Sequence, residues 1–126
     1  MGYYSDVGLL LNNKGIRRLK YALKNHISGK VKNDVHDLFS SADIHHVNSK
    51  SKAEVWIWKC IKWYANDPYY FPEIDFIEKF IGKLKNTDFR FIRIGEEYSD
   101  VEVYGDFYDS NLNLEINRSI NYEYCS

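Results

Sequence analysis

The stretch AEVWIWKCIKWY, residues 53–64, decides the fold that this sequence predicts. Alternate residues of a β-strand point to opposite faces of a sheet, and here both alternating sets are apolar. The two sets are Val55, Ile57, Ile61 and Trp63 on one face, and Trp56, Trp58 and Cys60 on the other. Such a strand is typical of the interior of a sheet that is covered on both faces, or covered once with the second face used for binding. A helix is the alternative interpretation, because periodicity alone does not exclude it.

The segments on both sides of this stretch predict a sheet with helices. Alternating apolar residues predict further strands at residues 3–11, 42–47, 89–94 and 101–107, and a last extended run from Asn111. Apolar residues at helical spacing predict helices from residue 14 or 15 with Asn13 as cap, around residues 32–40, and from Pro72. Helices interspersed with antiparallel hairpins favour an α+β fold, a two-layer sandwich with two to three helices packed on one face of a mainly antiparallel sheet. No linker divides the chain, so we expect residues 1–126 to form a single domain.

Composition and cysteine usage bound the class of protein. The chain has 126 residues, of which 44% are hydrophobic and 17% aromatic, and this content argues against global disorder. The aliphatic run at residues 9–11 is too short for a membrane span or a signal core, so no membrane partner is expected. Cys60 and Cys125 fit no metal-binding spacing and predict reduced thiols. We therefore expect a cytosolic protein.

The formal charge of −1 hides an asymmetry along the chain. Residues 1–67 carry 11 Lys or Arg against 6 Asp or Glu, whereas residues 95–126 carry one Arg against 8 acidic residues. Six of these acidic residues fall within a short stretch: Glu96, Glu97, Asp100, Glu102, Asp106 and Asp109. They could bind a metal, act as general acid and base, form a solvated hairpin, or present a negative face to a basic partner. Because calcium-loop spacing is absent, no metal and no cofactor is expected.

Tyrosines lie close to the acidic stretch. The chain has 11 of them, and many fall near predicted strand ends, where they supply the rigid, polar-tipped contact area of protein interfaces or cap the sheet. Together, the acidic and aromatic residues predict a partner-binding surface: Glu96, Glu97, Tyr98, Asp100, Glu102, Tyr104, Asp106 and Asp109.

A second set of residues predicts a different site. Aromatic rings that stack a nucleobase and arginines that bind phosphates would form a ligand pocket from Arg17, Arg18, Trp56, Trp58, Arg90 and Arg93. No activated nucleophile and no glycine-rich phosphate loop is recognisable, so we do not expect an enzyme. His45 and His46 are adjacent on a predicted strand and point to opposite faces, which argues against a shared zinc ion.

Three landmarks carry a resemblance to known proteins. The opening MGYYSDVGLLL, the tryptophan-rich residues 53–64 and RFIRIGEEYSDVEVYGDF at residues 90–107 resemble, in this order, a group of small uncharacterised proteins of phages and prophages. Similar openings and FIRIGE-type segments recur in that group. The resemblance covers most of the chain and implies a viral accessory protein that acts in the cytoplasm of a host bacterium, although it assigns no chemistry to any residue.

These observations lead to a predicted function and to alternatives. We expect a non-enzymatic binding protein that inhibits a bacterial antiviral defence component, in the manner of an anti-CRISPR protein, through its acidic and tyrosine-rich surface. The partner would be a host defence protein, such as a basic nucleic-acid-binding effector, and direct binding of nucleic acid is not expected. One alternative is a sponge that sequesters a nucleotide second messenger, for which a homodimer would suit the pocket. Others are an accessory or regulatory protein unrelated to defence, and a hydrolase.

Overall fold

The computed structural model describes residues 2–25, 28–109, 111, 112 and 114. The elements follow in the order β1 (Ser5–Leu11), α1 (Asn13–Asn25), α2 (Gly29–Ser40), β2 (Ile44–Val47), β3 (Glu54–Ile61), α3 (Pro72–Gly82), β4 (Phe89–Gly95) and β5 (Val101–Tyr104). The five strands form one antiparallel sheet in the order β2-β3-β1-β4-β5. The predicted α+β fold with a mainly antiparallel sheet is confirmed.

The sheet separates two apolar cores. On one face, Leu9 and Leu11 of β1 pack with the apolar stripes of all three helices, and we call this the helix-side core. On the opposite face, Leu10 packs with Val55 of β3 and with Leu114. Because β1 is the middle strand and β3 is its neighbour, both are covered twice, which explains why their sequences are apolar at consecutive positions.

Strand β3 contains one extra residue relative to β1. Val7 is paired with Trp58. Two residues earlier in β1, Ser5 is paired with Ile61, which lies three residues later in β3. Cys60 lies within this bulge at φ 55°, in the left-handed region that residues other than glycine rarely adopt.

Because of the bulge, the side chains after Cys60 lie on the opposite face of the sheet from the one that strict alternation predicts. Ile61 and Trp63 pack in the helix-side core, whereas we predicted them on the opposite face beside Val55. That prediction is wrong beyond Cys60, because side-chain alternation holds only where the strand register is unbroken.

The prediction of reduced thiols concerns Cys60, in the bulge of β3, and one further cysteine. The other cysteine of the chain, Cys125, lies outside the described residues, as does most of the predicted run that starts at Asn111. Within the described part of the chain, no helix is both long enough and apolar enough to cross a membrane.

The first helix begins one residue earlier than predicted and is tied to β4. Asn12, not Asn13, is its cap, since the Oδ1 of Asn12 accepts a hydrogen bond from the Gly15 backbone N–H at 2.8 Å. The Nδ2 of Asn12 also donates to Asp88 Oδ1 at 2.9 Å, just before β4 begins. These contacts fix the start of α1 against the end of the loop that follows α3.

Candidate functional site

A largely buried arginine organises the turn between β4 and β5. Arg93 lies on the helix side of β4, and its side chain is only 12% exposed. Its guanidinium donates to both carboxylate oxygens of Asp100, at 2.6 and 3.1 Å, to Glu102 Oε1 at 2.5 Å and to Ser5 Oγ at 3.0 Å. Burial by itself lowers the pKa of Arg93, but the two carboxylates outweigh burial and raise it. We call Arg93, Ser5, Asp100 and Glu102 the Arg93 cluster.

Residues near the start of the chain hold the same turn from the other side. The Tyr3 hydroxyl donates to Asp100 Oδ2 at 2.6 Å and accepts from the Glu97 backbone N–H at 3.1 Å. Burial, followed by the hydrogen bond to Asp100, raises the pKa of Tyr3. The Tyr4 backbone N–H donates to Glu96 Oε2 at 2.6 Å. A Cβ atom at Gly95 would collide with the Asp100 carboxylate and the Tyr3 hydroxyl, so this packing requires glycine.

A further carboxylate faces the Arg93 cluster from helix α3. Glu78 accepts a hydrogen bond from Trp63 Nε1 at 2.8 Å. The pKa of Glu78 is raised, mainly by burial and then by the negative charge of Glu102. The hydrogen bond from Trp63 and the positive charge of Arg93 act in the opposite direction and offset only part of this increase. Because these side chains are engaged with one another, the arrangement indicates a structural role that positions the turn.

The raised pKa of Glu78 predicts a stability difference that depends on pH. A carboxyl group whose pKa is higher in the folded than in the unfolded state favours folding while it is protonated, and this contribution is lost as the pH rises above its ordinary pKa of 4.5. Glu78→Gln keeps an acceptor for Trp63 without the charge. We expect this variant to be more stable than the wild type at pH 7, by less than about 1 kcal/mol, and equally stable in acid.

Thermal unfolding of both proteins across a pH series checks this expectation. Glu73 has a pKa raised in the same direction by burial, so the effect of Glu78 is read only from the difference between the two stability curves. A Glu78→Gln protein that is less stable than the wild type at pH 7 would show that the charged form of Glu78 stabilises the fold.

The turn and β5 present an exposed aromatic surface. Tyr98 is 84% exposed and Tyr108 is 67% exposed, and Val103 and Tyr104 of β5 are also exposed. β5 ends the sheet, and among the described strands it is paired with β4 alone. These residues and the exposed acids near them follow the edge of the sheet from the turn, along β5, to the chain beside the start of β4. Together they are called the hairpin surface: Glu96, Glu97, Tyr98, Val103, Tyr104, Asp106 and Tyr108.

The structure divides the eight residues that we predicted for partner binding. Five lie on the hairpin surface: Glu96, Glu97, Tyr98, Tyr104 and Asp106. Asp100 and Glu102 are only partly exposed and belong to the Arg93 cluster. Asp109 is buried and accepts hydrogen bonds from the side chains of Asn48 and Ser51, and the first of these is the main cause that lowers its pKa. Asp109 therefore stabilises a loop and offers little to a partner.

The six residues predicted for a nucleotide pocket do not form one site. Trp56 and Trp58 are buried in the helix-side core. Arg90 points to the opposite face of the sheet and donates to the Leu114 backbone carbonyl at 3.1 Å, while Arg93 is occupied by its cluster. Arg17 and Arg18 are exposed on α1, on the helical layer. The structure does not bring the six residues together, because the arginines lie on three different surfaces and the tryptophans lie in a core.

Arg17 and Arg18 instead belong to a groove between α1 and α3 that we did not predict. The groove has a volume of about 510 Å³ and is lined by Lys14, Arg17, Arg18, Tyr21, Phe80, Lys83 and Leu84. We call it the basic groove. Its signal in the sequence is the spacing of Lys14, Arg17, Arg18 and Tyr21, which places them on one face of a helix.

The described histidines do not have the arrangement of metal ligands. His45 stacks on Trp56 with ring centroids 5.1 Å apart, and its Nε2 lies 2.9 Å from Glu54 Oε1. Within the part of the chain that the structure describes, no group of three histidine, cysteine or acidic side chains is placed to hold a metal ion.

Comparison with protein-family models, with curated proteins and with solved structures finds no match to this chain. Two surfaces of the described chain are candidates for binding: the hairpin surface at one edge of the sheet and the basic groove on the helical layer.

Proposed function

We propose that this protein is a non-enzymatic phage accessory protein that inhibits a bacterial antiviral defence protein in the host cytoplasm by binding it through the hairpin surface. The observation that carries the proposal is the concentration of exposed aromatic residues there. Eight large apolar residues are exposed in the described part of the chain, and four of them lie between positions 98 and 108. Exposed aromatic side chains with charged residues near them are typical of protein interfaces.

The charge of the hairpin surface supports a basic partner. Residues 95–109 contain six acidic residues and no Lys or Arg. Arg93 neutralises part of this charge, but Glu96, Glu97 and Asp106 lie at the exposed rim. A negative rim of this kind favours encounter with a positively charged surface, such as the nucleic-acid-binding face of a defence effector.

The rigidity of the hairpin surface also supports a binding role. The Arg93 cluster and the hydrogen bonds from Tyr3 and Tyr4 hold the turn in one conformation. A surface that is already ordered before binding loses less conformational entropy when the complex forms, so more of the contact free energy contributes to affinity.

The double variant Tyr98→Ala/Tyr108→Ala tests this function. Tyrosines that are hot spots of an interface each contribute roughly 2 kcal/mol or more, and these two lie at opposite ends of the hairpin surface, so the variant should lose inhibition of its target. The measurement is phage plating on bacterial strains that each carry one defence system, with the wild type or the variant expressed. We expect the wild type to restore plating on at least one strain and the variant to fail on that strain.

A matched control is available in the loop before α3. Tyr69 and Tyr70 are 83% and 74% exposed but lie outside the hairpin surface, so Tyr69→Ala/Tyr70→Ala should keep full inhibition. If the wild type restores plating on no strain, the inhibitory function is wrong. If it does so and the Tyr98→Ala/Tyr108→Ala protein works equally well, the function stands but the hairpin surface is not the interface.

A further inference from the structure

We propose that the basic groove binds a nucleoside phosphate, with the base against Tyr21 and Phe80 and the phosphates beside Arg17 and Arg18. The proposal concerns a second site, independent of the hairpin surface. The groove lies between α1 and α3 on the helical layer, whereas the hairpin surface lies at the edge of the sheet that ends with β5. Variants of one site therefore leave the other unchanged.

The lining of the groove suits a phosphate group. Four cationic side chains line it, namely Lys14, Arg17, Arg18 and Lys83, and no carboxylate does. None of the four forms an ion pair with a carboxylate in the described part of the chain. Arginine and lysine that are not engaged with protein carboxylates are available for charge-assisted hydrogen bonds to phosphate oxygens.

The position of these cations on α1 is not explained by helix stability. The N-terminal end of a helix carries a partial positive charge and favours acidic residues in its first turn. Helix α1 has no acidic residue in its first turn, and Lys14 lies there with Arg17 and Arg18 in the turn that follows. Only Lys14 lies close enough to this end of the helix to be disfavoured by it, and the Asp88 carboxylate is held nearby by Asn12. An anionic ligand would give the three neighbouring cations a physical reason.

The apolar part of the groove suits a planar base. Tyr21 is 62% exposed, whereas Phe80 is 9% exposed and presents only its edge, with Leu84, to the α3 side of the groove. A volume of about 510 Å³ lies within the range of small-molecule sites, and aromatic side chains bind nucleobases by stacking. An acidic protein surface or a lipid headgroup layer would use the cations but not the apolar lining of the groove.

A second groove lies beside the basic groove along α3, and it distinguishes a free nucleotide from a nucleic acid chain as the ligand. This second groove has a volume of about 600 Å³ and shares Phe80 and Lys83 with the basic groove. It is also lined by Phe76 and by Lys79, which forms an ion pair with the lining residue Asp75 at 3.0 Å. A free nucleotide would occupy the basic groove alone, whereas a single-stranded nucleic acid would continue into the second groove.

Binding of defined probes to the purified full-length chain tests the proposal. The probes are ATP, a cyclic dinucleotide, oligothymidylates of increasing length and inorganic triphosphate, each followed by calorimetric titration and by thermal shift. We expect ATP or the cyclic dinucleotide to bind with one ligand per groove and more tightly than triphosphate. An affinity that rises with oligothymidylate length would identify a nucleic acid chain as the source of the nucleoside phosphate.

Two double variants with equal charge change separate the groove from general electrostatics. Arg17→Glu/Arg18→Glu should weaken binding about tenfold or more, because it removes two charge-assisted contacts. Lys20→Glu/Lys24→Glu lies on the same helix outside the groove and should change affinity by less than about threefold. Tyr21→Ala should weaken binding of the nucleoside phosphate about tenfold and leave triphosphate binding unchanged.

Several results would overturn the proposal. The first is an equal loss of affinity in the two double variants, and the second is triphosphate that binds as tightly as ATP. The third is a protein that binds anionic vesicles but no nucleotide. The fourth is a protein that binds none of the probes at millimolar concentration. Thermal unfolding provides a further check, since Arg17→Glu/Arg18→Glu should be at least as stable as the wild type if these cations serve a ligand. In the wild type, amide shifts caused by ATP should fall near residues 14–21 and 80–84, and shifts confined to other regions would also contradict it.

Discussion

Replacing Arg93 with methionine is expected to lower the free energy of unfolding by about 3 kcal/mol and the melting temperature by about 10 °C. The substitution leaves Asp100 and Glu102 without their counter-charge and removes a positive charge that offsets Glu78. Removing one partner of a buried ion pair costs about 3–5 kcal/mol, and the lower end applies because the two carboxylates are about one-third exposed. Denaturant unfolding at neutral pH measures the difference.

Two comparisons show whether the ion pairs cause this loss. Arg17→Met removes an exposed arginine that has no described ion pair and should change stability by less than about 0.5 kcal/mol. Adding Asp100→Asn and Glu102→Gln to Arg93→Met removes the unpaired charges and should restore more than half of the lost stability. A triple variant that remains as unstable as Arg93→Met would show that lost packing, not unpaired charge, is the cause.

Truncating Trp58 to alanine is expected to cost about 4 kcal/mol of stability, the largest effect of any substitution considered. Trp58 is 2% exposed and packs against Phe39 and Trp63, with ring centroids 5.8 and 5.7 Å away. Its Nε1 donates to the Leu38 backbone carbonyl at 2.8 Å, which joins β3 to helix α2. Alanine leaves a cavity at the centre of the helix-side core and removes this hydrogen bond.

A graded series separates the two contributions of Trp58. Trp58→Phe keeps most of the ring volume but loses the hydrogen bond, so it should cost roughly 1–2 kcal/mol. Tyr70→Ala truncates an exposed ring and should have little effect on thermal unfolding. Normal stability of the Trp58→Ala protein would be inconsistent with a buried position for this side chain and would restore the option that it contacts a ligand.

The main features of the fold could be predicted from local patterns. A strand that is apolar on both faces indicated the interior of a sheet, and Pro72 marked the first residue of α3. The face of the sheet on which Ile61 and Trp63 lie could not be predicted, because the bulge at Cys60 exists only when β3 pairs with β1. A bulge of this kind is a property of two strands together.

The acidic stretch was visible in the sequence, but the roles of its members were not. Glu102 and Arg93 are direct neighbours across the β4 and β5 pair, and only the register of these strands brings them together. Without the register of β4 and β5, the sequence alone predicts that Arg93 binds a ligand and that Asp100 and Glu102 bind a partner. The basic groove could be predicted only in part for the same reason. The spacing of residues on α1 can be read from the sequence, but the approach of α1 to Phe80 of α3 and to Lys83 just after α3 is a tertiary contact.

The Arg93 cluster divides the acidic residues of the turn into two classes with different freedom to change during evolution. Asp100 and Glu102 are bound to one arginine, so a substitution at any of these three positions is expected to persist only with a compensating change at another. Asp106 is exposed and lies outside the cluster, so it can be replaced by itself as a partner's surface changes. The turn can therefore acquire new binding specificity while its conformation is inherited unchanged.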